Sequence, residues 1–232
     1  MQNGTIAGSQ SQVSESGFIS KVFLWMALGL AVSGAGCLWL FSQPELFKAI
    51  LMNRGLFFGL IIVELGLVIA LSAAIGKMNS TVAAAVFFAY SFLNGVTLSP
   101  IFYVYTQDSL VLTFAVTAGM FGLFSMYGLT TRKDLTSLRG LLMVGLIGFL
   151  LASVVNFFLQ SSALMWITTY VGIAVFLGLV AYDTQKLKMM YASGLQDETS
   201  QKRLVILGAL ALYLDFINLF LLLLRIFGSR RN

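Results

Sequence analysis

The sequence predicts an all-α integral membrane protein, a seven-helix transmembrane bundle whose last helix is central. Three observations carry this. Of 232 residues, 59% are hydrophobic and only 10% charged, with a mean hydropathy of +0.92, whereas a soluble domain carries roughly a quarter charged residues. The apolar residues fall into seven runs of about 20, the length that crosses a bilayer core as a helix. The last run, residues 204–227, holds one carboxylate, Asp215, near its middle. A charge at that depth is costly unless it is protonated, paired or wetted, so the other helices are expected to surround this one and provide its partners.

The inventory excludes several function classes. Cys37 is the single cysteine, it lies in an apolar run, and histidine is absent; disulfide frameworks and most zinc, haem and Cys-His chemistry are ruled out. Seven crossings and their loops use up the chain and leave no room for a soluble catalytic domain, so the chain reads as a non-enzyme with no tightly bound cofactor. The net charge of +5 is spread over loops and ends. It reads as an orientation signal and not as a nucleic-acid footprint, since no basic stripe faces a soluble surface. The expected partner is the lipid bilayer.

Residues 1–20 are rich in Ser, Gly and Gln and lack a basic stretch ahead of a cleavable apolar core; they read as a disordered polar tail and not as a signal peptide. The membrane domain covers 21–228. Its first crossing is 22–41, after Lys21. A semi-polar connector, 42–54, follows, with Pro44 opening a short interfacial turn of helix. The second crossing, about 55–75, contains Glu64 and is closed by Lys77. The third, about 81–105, carries Asn94, Thr97 and Ser99, with Pro100 as an expected kink. The fourth is about 110–130, before a basic loop of Arg132, Lys133, Asp134 and Arg139. The fifth, 140–159, holds Asn156, and the sixth runs from about 164 to 183 and on through TQKLKMMY. Residues 194–203 form the longest polar loop, and 229–232 a short basic tail.

With the N-terminus in the cytoplasm, nine loop Lys and Arg residues fall inside and five outside, which favours N-in and C-out. A re-entrant seventh segment would instead put both ends inside.

Three acidic residues lie inside apolar crossings: Glu64, Asp183 and Asp215. Each could sit near a helix end or snorkel to the interface, Asp183 most readily because Lys186 and Lys188 follow it. The sharper reading is convergence inside the bundle, since facing lipid is costly. The depths of Asp183 and Asp215 agree if the sixth helix continues through Met190, where no breaker stands before Gly194, or if the seventh helix starts outside the membrane. Two carboxylates meeting in a low dielectric cannot both ionise cheaply; they share a proton and titrate as a unit. Ionised, the pair is an oxygen site for a hard cation such as Ca²⁺. Two carboxylates fall short of the 6–8 oxygens of a tight site, so occupancy is weak and transient. Arg225 lies ten residues after Asp215, about 15 Å along the helix, and reads as an interfacial anchor. Asn94, Asn156 and Asn218 read as helix–helix hydrogen-bonding groups.

The pairing of YDTQKLK at 182–188 with LYLDFINLFLLLLRIFG at 212–228, supported by FLNGVTLSPIFYVY at 92–105 and by Glu64, resembles the Bax inhibitor-1, or transmembrane Bax-inhibitor-motif, family in its bacterial branch. The resemblance spans nearly the whole chain after the polar tail. It implies seven helices with the last wrapped by the other six, and a pH-sensitive Ca²⁺ leak across the bacterial inner membrane. It also implies that Asp183 and Asp215 are the pH-sensing pair. A basic latch on the second helix is expected, for which Lys77 is the nearest candidate, and Glu64 is a candidate for the ion pathway. The interval of 32 residues between the two aspartates is longer than in several relatives, the excess falling in the 194–203 loop.

Three functions follow. The first is a pH-gated cation leak channel, Ca²⁺ being the ion, in which protonation of the Asp183–Asp215 pair shifts a neighbouring helix, the second. The next is a non-conducting partner of a membrane-anchored ATP-dependent protease or another membrane protein, with the polar tail as its handle. The last is an enzyme or transporter. An intramembrane aspartyl protease needs two membrane aspartates, but the GxGD context is missing around both, and no inverted repeat marks a transporter.

Overall fold

The computed structural model describes residues 3–192 and 198–231. The elements are α1 (Asn3–Phe41), α2 (Pro44–Met52), α3 (Arg54–Ala74), α4 (Ser80–Val104), α5 (Gln107–Thr130), a 3-10 turn (Leu135–Leu138), α6 (Arg139–Leu159), α7 (Ser162–Ala192) and α8 (Glu198–Phe227). Among the described residues there is no strand, and seven helices are long and apolar enough to cross a membrane: all but the short α2. The chain is an all-α integral membrane protein.

Local chemistry sets the boundaries. Pro44 opens α2 at the position where a missing N–H costs nothing. Asn53 caps α3, its side chain accepting from Leu56 N at 3.1 Å. Asp134 starts the 3-10 turn by accepting from Thr136 N at 2.8 Å. α6 ends on Gln160 in the left-handed region, φ 50°, while Asn156 Oδ1 takes the N–H of Ser161 at 3.0 Å. Pro100 lies inside α4.

The start of the chain departs from expectation. α1 begins at Asn3, and the span it contributes begins at Glu15, so helix covers residues read as a disordered tail. Residues 3–20 contain no proline, and adding turns to an existing apolar helix is far cheaper than nucleating one. Phe18 and Ile19 are buried, and Phe18 stacks on Tyr191 at 4.8 Å. Residues 1 and 2, residues 193–197, which include the first four of the 194–203 loop, and residue 232 lie outside the described residues. The rest of that loop, from Glu198, belongs to α8. The continuous α8 also leaves no break for a re-entrant seventh segment.

The chain divides into two compact units. The first comprises residues 1–104 with 190–213, the second 105–189 with 214–232. In the first, α1 and α4 pack so closely that a Cβ on Gly95 would run into the Ser33 carbonyl, and one on Gly36 into the carbonyl of Phe92. Small residues are what allow such backbone approach between membrane helices. Phe87 and the stretch from Leu204 to Tyr213 fill this unit's interior. The second unit is built on Phe176, Leu177 and Tyr182 of α7 with Leu219, Leu222 and Leu223 of α8. Its chain end is tied down: Thr106 N donates to Ser229 O at 3.0 Å, and Ser229 N to Ser109 Oγ at 2.8 Å.

Burial differs from helix to helix. Only 11% of the most apolar window is buried in α3 and in α6, against 67% in α8. Ile62, Leu141 and Val144 are each about 70% exposed. Such faces would aggregate in water and are satisfied by lipid tails.

Candidate functional site

In the first unit the acidic residue of α3 is buried among donors. Glu64 is 8% exposed. Its Oε2 accepts from Asn94 Nδ2 at 3.1 Å, and its Oε1 from the hydroxyl of Thr97. Asn94 and Thr97 are three residues apart, hence on one face of α4. The chain of bonds continues: Tyr213 Oη donates to Asn94 Oδ1 at 2.8 Å and lies 2.7 Å from Ser33 Oγ. Tyr213 and Ser33 each have one hydroxyl hydrogen, and that of Ser33 also has backbone carbonyls as acceptors, so either hydroxyl can be the donor in the last link. Ser33 also lies 2.8 Å from Ser91 O and 3.0 Å from Gly29 O. Tyr213 is fully buried, with Phe87 and Tyr90 edge-on to its ring at 6.1 and 5.7 Å.

Lys77 does not join this site. It is exposed in the turn after α3, thirteen residues beyond Glu64 and so about 19 Å along the helix axis. The basic side chain that does meet the end of α3 is Arg203, whose Nη1 donates to Gly76 O at 3.0 Å.

The second unit holds both aspartates. Asp215 is buried at 5% exposure, and its Oδ2 has no hydrogen-bond partner among the described residues. Asp183, half-buried on α7, is within Coulombic reach of Asp215, and Lys186 is within Coulombic reach of Asp183. α7 continues unbroken past Met190, one of the two extensions under which the depths of the aspartates agree. The neighbouring Phe216 packs edge-on against Phe114 and Phe121 of α5 at 5.4 and 5.5 Å. The same face of α5 carries two more buried hydroxyls without partners among the described residues, Thr113 Oγ1 and Ser125 Oγ. At the end of α5, a Cβ on Gly128 would collide with the Ala181 carbonyl of α7. Among the described residues no group of three or more His, Cys, Asp or Glu could hold a metal ion.

Sequence reasoning singled out Glu64, Asn94 and Thr97 separately, and it missed Tyr213 and Ser33 as the links between them. The i, i+3 spacing of Asn94 and Thr97 was the available signal. Of the three asparagines, Asn94 bonds across helices. Asn156 caps its own helix end, and Asn218 donates back to Leu214 O at 2.8 Å, because a short amide reaches local backbone first.

A family model described as "Inhibitor of apoptosis-promoting Bax1" matches residues 15–232. Among the similar proteins are the inner membrane protein YbhL of Escherichia coli, 50% identical over 92% of each chain, and an uncharacterized protein of Borreliella burgdorferi, 46% identical over 93% of each. Uncharacterized protein RP147 of Rickettsia prowazekii is 42% identical over 93% of this chain and 90% of its own. With seven membrane-spanning helices and a family match that takes in α3 through α8 entire, the chain belongs to the Bax inhibitor-1 family.

Proposed function

We propose that this protein is a pH-sensitive cation leak channel of the bacterial inner membrane, with Ca²⁺ as the permeant ion and the N-terminus in the cytoplasm. The observation that supports it best is Asp215: a carboxylate buried inside a membrane helix, one oxygen without a partner among the described residues, and a second carboxylate within Coulombic reach. A structural carboxylate in a membrane is satisfied by donors, as Glu64 is by Asn94 and Thr97. Asp215 retains acceptor capacity, which is what a proton or a passing cation needs.

The pair acts as one titrating unit. With one proton held between them, Asp183 and Asp215 tolerate each other's proximity. Loss of that proton sets two negative charges against each other and changes how the surrounding helices pack, while offering oxygens to a hard cation.

Ca²⁺ flux into proteoliposomes over about pH 5–8, wild type against Asp215→Asn, tests this. Wild-type flux varies with pH and the variant's does not. A variant that keeps the wild-type profile removes the gate. Flux no greater than that of empty liposomes at every pH removes the channel and favours the non-conducting partner of a membrane protease. For that role the polar start of α1 is the handle.

A further inference from the structure

The basic loop after α5 has no part in the site above, yet the structure builds it into a cavity. α5 ends at Thr130, α6 begins at Arg139, and α7 passes the same end. Gln185 of α7 fastens the connection: Leu135 N donates to its Oε1 at 2.8 Å, and its Nε2 donates to Lys133 O at 2.8 Å. Lys188 adds a third tie, from Nζ to Leu129 O at 2.9 Å. Between these elements lies a cavity of about 230 Å³ whose wall includes Arg132, Lys133, Lys188 and Asp134.

Three cations thus face one carboxylate, and that carboxylate is already engaged. Asp134 accepts from Thr136 N at 2.8 Å and from Thr136 Oγ1 at 2.6 Å, bonds that hold it below the usual carboxylate range. It stays ionised and offsets one of the three positive charges, while Arg132 and Lys133 are both exposed. The wall is cationic overall and suits an anion.

Its position narrows the ligand. The α5 span ends at Thr130 and the next begins at Leu135, so the cavity opens where hydrocarbon gives way to headgroups. Leu129 and Met189 form its apolar side. One and two turns back along α5, Met126 and Leu123 are 56% and 64% exposed, a surface that lipid tails cover. The volume lies below the range of about 300–1,000 Å³ typical of pockets for whole drug-sized ligands. A soluble anion would account for the charge but not for the apolar side. A phosphodiester accounts for both, since guanidinium binds two phosphate oxygens at once and an ammonium a third.

We propose that this cavity seats the phosphodiester headgroup of an anionic glycerophospholipid, with its acyl chains along Met126 and Leu123 of α5. Basic pockets at membrane helix ends take such headgroups, each cation near the surface adding about a fivefold gain in affinity.

The full-length protein, delipidated in detergent, is titrated with phosphatidylglycerol, phosphatidylcholine or inorganic phosphate, and bound lipid is counted by native mass spectrometry. Phosphatidylglycerol binds at least about tenfold more tightly than phosphatidylcholine. Arg132→Gln with Lys133→Gln lowers its affinity roughly 25-fold and leaves phosphatidylcholine unchanged. Arg132→Lys, which keeps the charge and loses the fork, gives a partial loss and guards against a double variant that fails to fold. Lys48→Gln with Arg54→Gln, equal in charge removed but in the first unit, changes nothing. Equal binding of the two lipids overturns the proposal, as does an equal loss in the Lys48/Arg54 control. Displacement of phosphatidylglycerol by millimolar phosphate makes the cavity a free-anion site and overturns it too.

Discussion

Tyr213→Phe isolates the hydrogen-bonded series around Glu64 with little else disturbed. The substitution removes one oxygen and leaves a ring of the same shape between Phe87 and Tyr90. Two bonds disappear, the one to Asn94 Oδ1 at 2.8 Å and the one shared with Ser33 Oγ at 2.7 Å. Ser33 keeps the Ser91 and Gly29 carbonyls as acceptors, so its loss is small. Asn94 Oδ1 is left buried without its donor, the dominant cost at about 1–3 kcal/mol. Interhelical hydrogen bonds in membranes average about 0.6 and reach about 1.7 kcal/mol, which brings the expected destabilisation to about 1–1.7 kcal/mol. Equilibrium unfolding in mixed micelles measures it. A cycle with Asn94→Leu checks the cause: the double variant is less destabilised than the sum of the single ones, by at least about 0.5 kcal/mol. A Tyr213→Phe protein within about 0.3 kcal/mol of wild type, or strict additivity with Asn94→Leu, refutes the claim that the hydroxyl connects Ser33 to Asn94 and Glu64.

Gly95→Val forces a branched side chain into the Ser33 carbonyl and costs about 1–3 kcal/mol by overpacking, read as a lowered unfolding temperature; Gly119→Val, where the position is open, serves as the tolerated control. Gln185→Leu strands Leu135 N and Lys133 O and costs about 1–3 kcal/mol, with protease cutting between Thr131 and Leu138 as the local readout. Thr136→Ala removes a hydrogen bond to Asp134 and raises its pKa toward the ordinary 3.8, followed by carboxyl-carbon NMR. Because the folded value is depressed, Asp134's contribution to stability is whole above the unfolded value and is lost as pH falls through the folded one. The wild-type advantage over Thr136→Ala therefore fades in acid below about pH 4.

The spans were legible because each is a run of about 20 apolar residues, and observed ends such as Arg54–Ala74 and Arg139–Leu159 lie close to those read from composition. The continuation of α7 beyond Asp183 was legible for a local reason, the lack of a breaker before Gly194. The helical start of α1 was not, since a polar composition describes a segment's own preference and omits the apolar helix it extends. At the site, residue type and depth marked Glu64 and Asp215 as unusual. Which of them would find donors depended on residues far away in sequence, Asn94 and Thr97 for one, while Asp215 Oδ2 found none among the described residues. Lys77 shows the opposite failure. It is the right charge near the right helix, but the turn that carries it leaves it exposed, and Arg203 reaches Gly76 instead.

Because α8 follows the other helices in the chain, its burial sets the timing of biogenesis. Residues 204–213 fill the interior of the first unit and residues 216–224 that of the second. Neither unit can close its core while the ribosome is still making that helix, so six inserted helices wait in the bilayer with unfilled faces until α8 is complete. A nonsense codon anywhere before Leu204 leaves both interiors open together. The truncated product then presents the exposed polar groups that membrane quality-control proteases recognise, and accumulation of the chain is expected to be all or none.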